Sequence, residues 1–78
     1  MDYNKDKVDD MTLAILYLVM WKDGDWGYRA WKGFDWDTMN RLHEKNLISN
    51  PKSKAKSVAL SDDGAEKAQK LFEKYFQE

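Results

Sequence analysis

The stretch WDTMNRLHEKNLISNPKSKAKSVALSDDG, residues 36–64, decides the reading of the fold. Asp35 is a good N-cap for a helix that begins at Trp36. On that helix Trp36, Met39 and Leu42, with His43 as a fourth candidate, face inward. Asp37, Asn40, Arg41, Glu44 and Lys45 face outward, and Thr38 lies at the margin. Asn46 can take the left-handed conformation that ends a helix, and Leu47-Ile48 lead into a short strand. Pro51 cannot donate to a ladder, so Ser49-Asn50-Pro51 closes that strand. Lys52-Ser53-Lys54-Ala55-Lys56 carries no apolar side chain larger than alanine and suits a solvated hairpin tip. Ser57–Leu60 alternates polar and apolar as a half-buried strand. Ser61 then caps a last helix.

Upstream, residues 1–7 are polar and expected to be frayed, with Asp6 or Asn4 available as a cap. Asp9 and Asp10 fall in the first turn, where the helix dipole favours a carboxylate. Val8, Met11, Ile15, Leu18 and Val19 form one helical stripe, and Leu13, Leu16, Tyr17 and Met20 a second on another face. A helix apolar nearly all round must be buried nearly all round. In a chain this short that predicts core on one side and a partner subunit on the other. The last helix repeats the theme, with Ala65, Ala68, Leu71, Phe72, Tyr75 and Phe76 on one face, so a homodimer through the first and last helices is expected.

Between the first helix and Asp35 lies KDGDWGYRAWKGF, residues 22–34, where Gly24, Gly27 and Gly33 interrupt any helix. Trp21, Trp26, Trp31 and Trp36 recur every five residues, which matches neither helix nor strand. An irregular aromatic loop is expected. One reading packs it as a lid on the first helix; the other leaves Trp26, Tyr28, Arg29, Trp31 and Lys32 as a contact surface.

The chain has 78 residues and no cysteine, which excludes disulfides and thiolate zinc sites and fits a reducing cytoplasm. One domain spanning residues 1–78 is expected, held by packing alone. Net charge is −1, so bulk charge does not mark a nucleic-acid binder. The charges are uneven, however. Residues 1–40 hold five Lys/Arg against eight Asp/Glu, whereas residues 41–56 hold Arg41, Lys45, Lys52, Lys54 and Lys56 against Glu44 alone. Four aspartates among the first ten residues do not suit a secretory signal. The apolar run Met11–Trp21 is too short to span a bilayer.

The segment Met39-Asn40-Arg41-Leu42-His43-Glu44-Lys45-Asn46-Leu47-Ile48, followed by Val58-Ala59-Leu60-Ser61-Asp62-Asp63-Gly64, resembles winged-helix regulators of the MarR and PadR type. The resemblance implies an α+β, winged-helix-like domain: long helix, aromatic loop, short helix, β-hairpin wing and C-terminal helix. It departs upstream, where the helix that normally precedes the recognition helix is replaced by the glycine- and tryptophan-rich loop. From Val8 to Phe76 the chain is also similar to a family of small uncharacterised bacterial proteins, a domain of unknown function. That likeness rests on Arg29-Ala30-Trp31-Lys32-Gly33-Phe34-Asp35-Trp36-Asp37, Arg41-Leu42-His43-Glu44-Lys45 and Lys54-Ala55-Lys56-Ser57-Val58.

No enzyme is expected. His43 is the only histidine and sits in a helix beside Glu44, the setting of a half-buried structural residue. A lone histidine with scattered carboxylates does not make a zinc site. Asp35 and Asp37 are explained as a cap and a first-turn acid, and the glycines precede no phosphate-binding lysine pattern. No cofactor, metal or small-molecule ligand is implied. The first functional expectation is a dimeric binder of double-stranded DNA, with Asn40 and Arg41 reading bases and Lys45, Lys52, Lys54 and Lys56 on phosphates. The second is a protein–protein adaptor that presents the Trp-rich loop on a winged-helix scaffold.

Overall fold

A computed structural model describes residues 1–25 and 27–78. Among these described residues the fold is α+β, with three helices and a three-stranded antiparallel sheet. Helix α1 runs Lys5–Val19 and is capped by Asn4, whose side-chain oxygen accepts from the Lys7 N–H at 3.0 Å. That cap makes residues 5–7 helical, where fraying was expected. Asp9, Leu13, Ala14 and Leu16 are buried on its inner face. Of the two stripes expected on α1, the one carrying Leu13 and Leu16 enters the core. The other is half-buried at Val8, Met11 and Ile15 and exposed at Leu18 and Val19.

The helix stops at Met20, whose backbone is already extended, and the chain passes into β1, Trp21–Lys22. It then turns back into β2, Tyr28–Trp31, with Trp21 opposite Arg29 and Lys22 opposite Tyr28. The expected irregular loop is therefore a β-hairpin. Gly24 at φ 54° and Gly27 at φ 92° supply the left-handed backbone of its turn, and the Asp23 N–H closes on the Gly27 carbonyl at 2.7 Å. The glycines that read as interruptions are what reverse the chain.

Helix α2, Trp36–Glu44, starts under Asp35, whose carboxylate accepts from the Thr38 N–H at 3.1 Å and from its hydroxyl at 2.8 Å. It ends on Asn46 at φ 63°. The Leu47 N–H reaches the Leu42 carbonyl at 3.0 Å and the Asn46 N–H reaches His43 at 2.9 Å, the paired bonds of a left-handed helix stop. Strand β3, Ser57–Leu60, pairs antiparallel with β2, from Tyr28 opposite Leu60 to Trp31 opposite Ser57.

The strand expected at Leu47-Ile48 shrinks to one bridge, Ile48 with Leu60. Ser49 uses its hydroxyl to accept from the Ala59 N–H at 2.9 Å, while its own N–H donates to the Ala59 carbonyl at 2.8 Å. Pro51 then removes a donor. Helix α3, Asp62–Tyr75, begins under Ser61, which accepts from the Gly64 N–H at 2.9 Å. It lies along α1, with the Tyr17 and Phe72 rings 5.3 Å apart and Lys67 paired to Asp10 at 3.7 Å.

The core is one cluster between the helices and the inner sheet face. Leu13, Leu16, Ala30, Met39, Leu42 and Val58 are almost entirely out of solvent. Each large apolar side chain buried there stabilises the fold by roughly 1.5–3 kcal/mol before conformational entropy is counted. Among the described residues no helix is long and apolar enough to cross a membrane.

Candidate functional site

The cations expected on DNA separate into two groups. Arg41 turns inward: its Nε donates to both Asp9 carboxylate oxygens, at 2.9 and 3.1 Å, and its terminal nitrogen lies 2.8 Å from Oδ1. Lys45 reaches the other Asp9 oxygen at 2.9 Å and Asp6 at 3.0 Å. Both side chains were expected to face outward. They turn back because Asp9 has no solvent exposure, and a buried carboxylate must be met by charge and hydrogen bonds. Burial alone would push the Asp9 carboxyl up, but hydrogen bonds from Arg41 and Lys45, with their charges, hold it below the usual carboxylate range. The hydrogen bond to Asp9 likewise raises Arg41 and Lys45 against the opposing effect of burial. Arg41 also donates to the Thr38 hydroxyl at 3.1 Å, so the network runs on to Asp35.

This cluster was readable in principle. Asp9 stands four residues before Leu13 and seven before Leu16, on the face that enters the core. The first-turn place expected for it offered a simpler explanation, but the helix starts at Lys5 and puts Asp9 in its second turn. Asn40 is half-buried, and the solvent side of α2 carries Asp37 and Glu44. His43 Nδ1 lies 3.1 Å from the Ile48 carbonyl, which can only accept, so that nitrogen carries the proton. Its bond ties the end of α2 to the bridge residue.

The remaining cations, Lys52, Lys54 and Lys56, are exposed, and among the described residues none forms an ion pair. Their loop is fastened to β2. Lys32 Nζ donates to the carbonyls of Pro51 at 2.8 Å and Ser53 at 2.6 Å, and the Lys32 N–H reaches the Lys56 carbonyl at 3.3 Å. Arg29 donates to the Ser57 hydroxyl at 2.9 Å and carbonyl at 3.0 Å. Arg29 and Lys32, expected to meet a partner, hold this loop instead.

The aromatic residues divide as well. Trp26 lies outside the described residues. Trp31 is 57% exposed on the outer face of the sheet, with its ring centroid 5.0 Å from that of half-buried Trp21. Tyr28, three residues earlier on the same strand, points to the opposite face, where it borders a cleft with Tyr17, Met20 and Ala65. Phe34 and Trp36, not among the residues expected on a contact surface, are exposed as well. Trp36, expected to face inward, is also 57% exposed. It stands one turn before Met39, past the edge of the core, where Lys32, Gly33, Phe34 and Trp36 border an open depression of about 400 Å³.

A family model described as a domain of unknown function (DUF6429) matches residues 4–78. The chain is 43% identical over 76 residues to the uncharacterized protein y4hR of Sinorhizobium fredii, covering 97% of each chain. No solved structure matches it. By both the extent of the family match and the identity to this relative, the chain belongs to the DUF6429 family.

Proposed function

We propose that the protein is a non-enzymatic interaction module that docks a partner protein on the aromatic surface formed by Trp31, Phe34 and Trp36. One observation carries the reading: two tryptophans stand more than half exposed within six residues of each other. Tryptophan is costly to leave in water and is enriched where interfaces concentrate their binding energy. The strand pairing of Trp31 and the helix start at Trp36 fix their backbone beforehand, and the Trp31 ring packs on Trp21, which lowers the ordering cost of association. A photo-crosslinking side chain at position 31 should give a discrete heterologous adduct in cells, lost on Trp36→Ala and absent when the probe sits at Glu73. No adduct from position 31, or equal adducts from both positions, would sink the proposal.

A second reading is kept because Lys52, Lys54 and Lys56 are exposed and unpaired among the described residues. On it the domain is a winged-helix-like DNA binder whose lysine loop lies along phosphates. Two copies would be needed for useful affinity, and the exposed Leu18, Val19, Tyr75 and Phe76 at the ends of α1 and α3 would join them. Against it stand the engagement of Arg41 and Lys45 with Asp9 and the acidic outer side of α2. A mobility shift on mixed duplex fragments that fades with salt would favour this reading. No shift at low salt would end it.

A further inference from the structure

The loop that carries Lys52, Lys54 and Lys56 is fastened to the strand that carries Trp31 and to Lys32, which also borders the depression beside Trp36. We infer that the exposed rings and this loop together recognise an acidic protein segment carrying apolar side chains. This rests on the docking reading and adds the chemistry of the partner. Strand β2 carries Trp31, and the same strand and the residue after it grip the loop from both ends. Lys32 holds the carbonyls of Pro51 and Ser53 at the loop's start, while Arg29 holds Ser57 at its finish. The backbone that carries the three lysines is therefore anchored on both sides to β2 and to Lys32, the residue that follows it. Lys32 commits two of its three ammonium N–H groups to those carbonyls. Lys52, Lys54 and Lys56 keep their charge for solvent or for a partner.

Charge complementarity selects carboxylates for the lysine side and apolar or aromatic side chains for the rings and the depression beside Trp36. A single strand of nucleic acid would also offer anions and flat rings. Two exposures argue for the peptide. Asp37 stands exposed next to Trp36, and Glu44 lies two turns along the same helix, so a phosphate chain crossing from the lysines to Trp36 would meet negative charge. A peptide can place its carboxylates on the lysine side only.

The test uses the intact protein with ¹⁵N-labelled indoles and four probes: a glutamate-rich peptide containing leucine and phenylalanine, its lysine-rich counterpart, a glutamate peptide without apolar residues, and oligothymidylate. The acidic apolar peptide should move the Trp31 and Trp36 indole signals with affinity about tenfold above either other peptide, falling as salt is raised. Lys52→Glu, Lys54→Glu and Lys56→Glu together should remove that preference while the indole positions of the free protein stay unchanged. Equal binding of the acidic and basic apolar peptides overturns the charge inference and leaves the aromatic docking reading standing. If no peptide moves either indole, both are overturned. If oligothymidylate moves them at least as strongly as the acidic apolar peptide, nucleic acid replaces protein in both.

Discussion

Asp9 and Arg41 are joined by three contacts of 2.8 to 3.1 Å across the α1–α2 interface, and only the aspartate is fully buried. That asymmetry sets what each mutation costs. Removing the anion frees two cations that can rehydrate at the rim; removing the cations strands a carboxylate inside. Asp9→Ala should therefore destabilise by about 2 kcal/mol, below the usual range for a broken buried pair. Arg41→Leu with Lys45→Leu should cost about 3 kcal/mol or more. Urea unfolding of the variants checks the order, and a larger loss for Asp9→Ala would contradict it.

The same cluster predicts an acid limb. The Asp9 carboxyl lies below its ordinary value in the fold, so its contribution is complete above the unfolded value of about 3.9 and disappears as pH falls through the folded one. Lys45 is raised, so its share persists below about pH 10 and is lost as pH climbs through its folded value. The stability gap between wild type and Asp9→Asn should be flat near neutrality and should close below about pH 4. A gap independent of pH down to pH 2 would remove Asp9 from the account.

Gly64 sits in the first turn of α3 against the Leu47 backbone, and a β-carbon added there would fall on the Leu47 carbonyl. That carbonyl already accepts from the Ser61 N–H at 3.0 Å, so it has little freedom to move. Gly64→Ala should cost about 3 kcal/mol despite alanine's better helix propensity. Thermal unfolding that leaves this variant at wild-type stability would show that α3 can slide away from Leu47.

Asn46 supplies the left-handed residue that stops α2. Asn46→Gly should be neutral within about 0.5 kcal/mol, whereas Asn46→Val should lose about 1–2 kcal/mol through steric strain at positive φ. Denaturation midpoints of the pair give the comparison. Equal midpoints would mean that the turn relaxes.

Much of this fold was legible because its punctuation is local. Asn4, Asp35 and Ser61 are each one side chain bonding a neighbouring N–H, and Asn46 is one backbone angle, so all four appear as residue types at helix ends. Ser57–Leu60 showed the alternation of a half-buried strand. Strand β1 is two residues long, too short for alternation to register, so Asp23-Gly24 could be read as a turn without showing the strand pairing it serves. The candidate surface was half legible for a related reason. Trp31 could be named from composition, but the exposure of Trp36 depends on where the core ends. The engagement of Arg41 and Lys45 depends on Asp9, more than thirty residues earlier.

Exposure of Trp31 and Trp36 is the foundation of the proposed docking surface and can be measured without knowing the partner. Adding a soluble paramagnetic chelate to the isolated ¹⁵N-labelled protein should broaden the Trp31 and Trp36 indole signals strongly and that of half-buried Trp21 much less. Protection of both Trp31 and Trp36 to the level of Trp21 would contradict the account.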